Sequence, residues 1–571
     1  MQRSRWILLL SITLLCGSPL YANHFFLLQH QSIFTDVTKQ LQKLVDNYTL
    51  DGVSIGVVNE SGLIWTSSFG YANREKQVKA SENTVYRVGS LSKLLTATAI
   101  LQLEEQKLID IDQAVSAYIP RFNYKTRFSE SGIITSRHLL THLSGLPSNI
   151  NKGHWTEERF TDLVERLRTE YASYPTDFIL NYSNVGYSLL GTIIEENTDY
   201  LFEDYIQKHL FDPLEMTDSN FNPYGSTIHE SATGYKKQVA QSNLPGRDIP
   251  ALGLNSSLVD MSHFISAILN HGVYNHKRIL EAGSVESMFN IQNKHVNLDF
   301  DQLIGIPWFI NKINDEQQSL IVEHGGPTIN FSSQIMLAPE HQLGIIILSN
   351  TSQVNTVINK IAKQLLDKLM SSPEQNIISY IPSKLQKTKS TDSSTSRYIS
   401  KSGIIEIDKD ASQLCDCQTN RKLNLVPLPD GWFGLSPDNK KYTSKITEQV
   451  IDGNEVIVLE KNGKQHRIGS RYRPNDNRFH WEQYFGKYEI INPDENFPVT
   501  DVRIFDEDNM TYMCYRMPKL SNKLIVLPIT PVSEQEAITE GLGRSKGETV
   551  YSQNIDGETH LIYSGYIAKK I

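Results

Sequence analysis

The chain is poor in cysteine, in clustered charge and in long apolar runs, and each shortage excludes a class of protein. Its 571 residues hold four cysteines, one of which, Cys16, falls in an N-terminal apolar segment. The other three, Cys415, Cys417 and Cys514, are too few for a disulfide framework. An odd count leaves at least one thiol unpaired in a monomer, and the sequence does not choose between Cys415 and Cys417 as a partner for Cys514. The C-x-C spacing has no neighbouring histidine or further cysteine to complete a metal site. The formal charge is −9 and no basic block is present, which argues against nucleic acid as a partner. Beyond the N-terminus no apolar run reaches the roughly 20 residues of a membrane span.

What is present begins at the N-terminus. Arg3 and Arg5 precede an apolar run from Trp6 to Leu15, and Pro19-Leu20-Tyr21-Ala22 follows. This order predicts a signal peptide over residues 1–22 cut after Ala22, and an exported protein, periplasmic or secreted. Lipid anchoring through Cys16 is disfavoured, because Leu15 stands where lipoprotein processing requires a small side chain.

Apolar periodicity predicts a helix from Ile33 to Tyr48, a hairpin of strands Val53–Val58 and Leu63–Phe69, and a helix starting at Ser90. Helical segments continue to about residue 215. Strand character returns at Trp308–Ile310, Ser332–Leu337 and Leu343–Leu348, before a last helix over Val354–Met370. Strands from both chain ends with helices between them imply one antiparallel sheet flanked by a helical region. Lys, Ser and Thr dominate around 383–396, which marks a linker. Short alternating runs punctuated by Asp-Gly and Asn-Gly then predict an all-β module, as one barrel or two small β units. The expected division is 23–372 for the first domain, 373–396 for the linker and 397–571 for the β module, with two halves near 480. Tyr398-Ile399-Ser400-Lys401 and Tyr484-Phe485-Gly486-Lys487 echo one another across those halves.

Three motifs carry chemistry: Ser90-Leu91-Ser92-Lys93, Tyr182-Ser183-Asn184 and His324-Gly325-Gly326. Each alone is weak, and their order gives them weight. Ser90 and Lys93, three apart on a helix, share a face. A serine hydroxyl becomes a nucleophile when a base takes its proton, and a lysine serves only if its surroundings keep the amine neutral. The bland alternative is that Ser90 caps a helix and Tyr182 is a core aromatic.

With these motifs the chain resembles the serine β-lactamase and penicillin-binding-protein superfamily, in its class C-like branch of β-lactamases, D-aminopeptidases, DD-peptidases and esterases. The resemblance runs over about residues 35–370 and extends to Arg137-His138-Leu139-Leu140-Thr141-His142-Leu143-Ser144-Gly145-Leu146-Pro147, Asp212-Pro213-Leu214-Glu215-Met216-Thr217 and Gly253-Leu254-Asn255-Ser256-Ser257. It implies an α+β, β-lactamase/transpeptidase-like fold followed by an all-β module similar to the barrels of some D-aminopeptidase-like relatives. It also implies catalytic roles for Ser90, Lys93 and Tyr182, with Asn184, His324, Gly325, Gly326 and Thr328 contacting substrate and no cofactor or metal.

Two departures from the family pattern stand out. His324 occupies the place of the lysine that captures a carboxylate in β-lactamases, and histidine is mostly neutral near pH 7. Pro327 falls where the family's pattern puts the second oxyanion N–H, and proline has none. The N–H or hydroxyl of Thr328 could substitute. Asn330 stands where relatives often carry glycine, and asparagine tolerates left-handed backbone better than most residues. His138 and His142, four apart, have the spacing of zinc ligands on one helical face, without a third ligand. The expected function is an exported serine hydrolase forming an acyl-enzyme on Ser90, with D-amino-acid-containing peptides or carboxylic esters as substrates. The alternatives are a degenerate ligand-binding protein and a β-lactamase. The oligomeric state, and the part played by the β module, stay open.

Overall fold

The computed structural model describes residues 19–571 apart from 130, 224–230, 314–318, 371–394, 402, 411, 419, 437–441, 473–478, 480, 496 and 508. The basic and apolar N-terminal pattern, Cys16 included, and most of the linker lie outside the described residues. Among the described residues, no helix is long and apolar enough to cross a membrane.

The first part of the chain builds an eight-stranded sheet in the order Leu303–Ile304, Phe309–Ile313, Ser319–Gly325, Ser332–Ala338, Leu343–Ser349, Gly52–Asn59, Gly62–Asn73 and Val78–Lys79. Its central seam joins sequence-distant segments, with Val53 opposite Ser349 and Val58 opposite Gly344 in an antiparallel ladder. Alternation along Gly52–Asn59 explains the layering. Val53, Ile55 and Val57 bury against Leu41 of the helix Gln31–Asp46 and Ile358 of the helix Asn355–Met370. Val58, Ile346 and Leu348 face the helical side, where Leu94, Ile100, Leu190 and Ile193 form the larger core. That side holds the two helices that matter most, Ser92–Glu105 and Asn184–Glu196.

The C-terminal residues form two closed eight-stranded barrels. The first closes by pairing Tyr398 with Arg471, the second by pairing Tyr488 with Lys570. Closure leaves no free sheet edge. Cys415, Cys417 and Cys514 are free thiols, so the bridge that the sequence allowed is absent. Both barrels dock on the sheet-and-helix part. Val456 and Val458 of the first share a buried cluster with Tyr174, Ile179 and Leu298. Asp494 of the second pairs with Lys152 and accepts from the Gly153 N–H at 3.0 Å. The Asn151 N–H donates to Ser564 Oγ at 2.8 Å.

Two buried carboxyls meet across the second contact. Burial first, and the Glu548 charge next, push Glu170 up to about 7, and burial pushes Glu548 up to about 7 against the opposing pull of Tyr563 and Lys546. An acid whose folded pKa is raised binds its proton more tightly in the folded state, so stability is highest below the unfolded value of about 4.3 and declines as pH climbs toward 7. Replacing Glu170 by glutamine removes that loss. We expect Glu170→Gln to raise Tm at pH 8 by about 2–4 °C and to leave it unchanged near pH 4. Equal shifts at both pH values in a melting series would contradict this assignment.

Candidate active site

Ser90 sits in a short 3-10 turn, Gly89–Leu91, that leads directly into the helix Ser92–Glu105. The helix the sequence placed at Ser90 therefore starts two residues later, and Ser90 lies at its mouth. At such an entry the first N–H groups have no intrahelical partner, which makes them available to an oxyanion. Gly89 has φ +55°, and a β-carbon there would meet Gly326 O and Thr328 Cγ2 at 2.9 Å. The turn is thus pressed against the end of the strand Ser319–Gly325.

Lys93 is fully buried one turn after Ser90. Its Nζ donates to Asn184 Oδ1 and Ala251 O, both at 2.8 Å, and lies 3.3 Å from Ser90 Oγ. Burial lowers its pKa well below the ordinary lysine value, the Arg544 charge adds to the effect, and Asp248 opposes it. With two protons held by the two carbonyl oxygens, a neutral amine turns its lone pair toward Ser90. Tyr182 completes the group: its ring centroid is 4.7 Å from Lys93 Nζ, and its hydroxyl hydrogen-bonds Ser90. Burial pushes the phenol up to about 12, so it holds its proton while the lysine yields one. The two groups are driven apart by one cause, removal from water, which disfavours a cation on one and an anion on the other.

The loop before Tyr182 and the helix after it fix this arrangement. Ser183 caps the helix Asn184–Glu196 by accepting from the Gly186 N–H at 3.0 Å. The Ser183 N–H donates to His142 Nδ1 at 3.1 Å, and the His142 ring lies 4.1 Å from that of Tyr182. His138 and His142 are not paired on one helical face. The helix Ser136–Leu140 ends between them and His142 has φ +61°. His138 instead joins a capping box with Thr135 and contacts Asp177 at 3.2 Å.

Asn184 is less free than the sequence suggested. Its Oδ1 accepts from Lys93 and its Nδ2 donates to Asn149 Oδ1 at 2.8 Å, leaving one amide proton for a substrate. His324 is buried and its Nδ1 lies 3.0 Å from Gly325 O. Burial lowers its pKa to about 3, with the Lys93 charge adding to the effect. The imidazole is neutral, so Nδ1 donates to the carbonyl and Nε2 is an acceptor without a partner among the described residues.

The two glycines of the third motif differ in role. A β-carbon on Gly326 would lie 2.0 Å from Val88 O and 2.1 Å from Ser333 Oγ, whereas on Gly325 it would come no closer than 3.2 Å to Gln334 Oε1. Gly326 therefore serves the packing of the motif against the Ser90 turn, rather than the approach of a substrate. Thr328 lines the cavity, but its N–H donates to Phe331 O at 3.0 Å and cannot replace the missing N–H of Pro327. Its Oγ1 accepts from the Asn330 and Phe331 N–H groups at 3.3 and 2.9 Å, and the hydroxyl proton stays available. Asn330 does not take the left-handed backbone allowed for it. It is buried, with Nδ2 on Ser242 O at 3.1 Å.

Ser90, Tyr182, Asn184, His324, Gly325 and Thr328 share a cavity of about 1070 Å³. Its far walls come from both barrels, including Lys401, Arg467 and Arg544. Arg467 and Arg544 carry no motif and Lys401 stands only in the echoed Tyr398-Ile399-Ser400-Lys401, so the sequence assigned none of the three to the site. Only the glycines around Arg544, in Gly541-Leu542-Gly543-Arg544, hinted at an unusual loop. Among the described residues no cluster of three His, Cys, Asp or Glu could hold a metal ion.

A fold of this kind, with a serine, a lysine and a tyrosine gathered at the joint between sheet and helices, is that of the serine hydrolase superfamily of β-lactamases and penicillin-binding proteins. The Beta-lactamase family model matches residues 37–368, and the chain belongs to that family. It is 28% identical over 369 residues to "Protein flp" of Staphylococcus aureus (strain MW2), covering 62% of this chain and 68% of the relative. It is 30% identical over 338 residues to "Protein flp" of strain NCTC 8325 / PS 47, covering 56% of this chain and 63% of the relative. It is 31% identical over 242 residues to "Putative penicillin-binding protein PbpX" of Bacillus subtilis (strain 168), covering 41% and 57%. For these last two the chain spans less than two thirds of the relative's length.

Two outcomes follow from this geometry. On a neutral ester, kcat/KM should rise with pH along a limb set by Lys93, well below the ordinary lysine value of about 10.4. It should show no fall from Tyr182 before about pH 12. A rising limb above pH 10 would remove Lys93 from the role of base. Gly326→Ala should lower stability by about 1–3 kcal/mol through overpacking, with Gly325→Ala much milder. Thermal melts that rank the two variants the other way would reverse their assigned roles.

Proposed function

We propose that this chain is an exported serine hydrolase that forms an acyl-enzyme on Ser90 and acts on D-amino-acid-containing peptides or carboxylic esters. The observation that carries the reading is the contact set of Lys93: two protons held at 2.8 Å by Asn184 Oδ1 and Ala251 O, and Ser90 Oγ at 3.3 Å. Ser90 Oγ attacks the carbonyl carbon and its proton passes to Lys93. Tyr182 gives its phenolic proton to the departing amine or alkoxide and recovers one from Lys93. A water then enters by the same route in reverse, and its attack breaks the Ser90 ester. The cavity, larger than a simple ester needs, favours a peptide of several residues.

A degenerate, ligand-binding protein is the second reading, and Pro327 favours it. Loss of one oxyanion donor costs about 10²–10³ in rate. The Thr328 hydroxyl is the nearest substitute that the sequence offers. A β-lactamase is disfavoured, because neutral His324 cannot supply the charge that lysine gives in that place.

Labelling the purified protein with a fluorophosphonate decides between these readings. We expect one adduct on the peptide bearing Ser90, none in Ser90→Ala, and labelling slowed about 10²–10⁴-fold in Lys93→Arg, whose guanidinium stays protonated. Well-folded protein that takes no label would favour the ligand-binding reading.

A further inference from the structure

The geometry points to Arg544, carried by the second barrel, as the residue that selects substrates bearing a carboxylate close to the scissile carbonyl. This rests on the hydrolase reading and extends it to a substrate class. The loop between the strands Glu536–Thr539 and Thr549–Ile555 crosses from the barrel to the Ser90 site. Hydrogen bonds to both neighbouring parts of the chain hold it there. The Ser545 N–H donates to Ser148 Oγ at 2.9 Å, the Gly543 N–H donates to Tyr174 Oη at 3.1 Å, and Leu542 O accepts from Arg467 Nη1 at 2.9 Å. Gly543 has φ +99°, a conformation that side chains rarely adopt, so the path of the loop is written into its sequence. The loop sets the Arg544 guanidinium 4.8 Å from the centroid of the Tyr182 ring, while Lys93 Nζ stands 4.7 Å from the same centroid. Arg544 and Lys93 are thus neighbours of one aromatic ring.

Charge gives the loop its meaning. The cavity is lined by Arg544, Lys401, Lys546 and Arg467 and, among the described residues, by no aspartate or glutamate. Arg467 already donates to Leu298 O and Leu542 O, and Lys546 lies near Glu540 and Glu548. Arg544 is exposed to the cavity and forms no ion pair among the described residues, although its charge reaches the buried Glu548. A guanidinium placed beside a catalytic lysine is repelled by any protonated amine there, and a carboxylate in the substrate relieves that repulsion. The planar fork of arginine matches a carboxylate with two parallel N–H bonds. Neutral His324 cannot do this work, so anion recognition has passed from the third motif to the barrel. A peptide C-terminus and the carboxylate of a β-lactam share this chemistry.

The test compares kcat/KM for paired p-nitrophenyl esters, butyrate as the neutral member and hemiglutarate as the anionic one. It uses the full-length protein and Arg544→Ala, Arg544→Lys and Arg544→Glu. The unaltered protein should prefer the hemiglutarate, and the preference should fall about 10- to 100-fold in Arg544→Ala, chiefly through KM. Arg544→Lys should keep part of it, Arg544→Glu should reverse it, and added salt should weaken it in the unaltered protein. The same ratio in all four proteins would overturn the role of Arg544 while leaving the hydrolase reading intact. No ester hydrolysis and no Ser90 labelling in the unaltered protein would overturn both. A D-alanyl-D-alanine peptide and a penicillin then serve as the two arms for the source of the carboxylate. Turnover that depends on Arg544 in either arm supports the assignment.

Discussion

Burial of the Lys93 amine is the constraint on which this structure depends. An ammonium ion taken from water into a site with few compensating charges is costly, and the cost is lowered by giving up a proton. The protein supplies two carbonyl-type acceptors at 2.8 Å, no carboxylate in direct contact among the described residues, and a second cation nearby. Among the described residues, Asp248 is the anion that bears on it. Burial alone would raise the Asp248 carboxyl, but Arg247 and His154 beside it hold it well below the usual carboxylate range. Its charge is therefore largely matched before it reaches the lysine. The same dry environment keeps Tyr182 protonated and His324 neutral. One physical cause thus favours a neutral amine, a protonated phenol and an uncharged imidazole.

The close packing of the site explains the tolerance pattern of its glycines. The Ser90 turn, the end of the strand Ser319–Gly325 and the hairpin after it meet through backbone atoms, with Ser333 Oγ donating to Val88 O at 2.8 Å. Where backbone meets backbone no side chain fits, and Gly89 and Gly326 sit at those contacts. The cavity opens away from this seam, toward the barrels, so the chemistry is fixed by the sheet and helices. The far wall belongs to parts of the chain about 75 to 220 residues beyond His324.

Much of the sheet-and-helix part was legible in the sequence, because its strands alternate strongly and its helices repeat every three to four residues. The hairpin at Glu60-Ser61-Gly62 and the helix Asn355–Met370 fall within a few residues of their expected limits. Individual roles were harder to read. Motif position makes Thr328 a substrate contact, yet its N–H closes a turn onto Phe331. Asn184 is shared with Asn149, and His142 supports the Tyr182 loop from a left-handed position. Each of these depends on a hydrogen-bond partner distant in sequence, and no spacing rule reports such a partner.

The sequence by itself determined the family, the order of the three motifs and the identity of the Ser90, Lys93 and Tyr182 group, because these follow from local spacing and residue chemistry. Only the tertiary structure decided that the β module is two closed barrels, that its cysteines are free and that Arg544 stands beside Tyr182. Barrel closure is a long-range pairing of first and last strands, and the Arg544 contact is made across a domain boundary. The physical reason is the same in both cases: short-range preferences are written residue by residue, whereas contacts between remote segments are chosen by the packing of the whole chain.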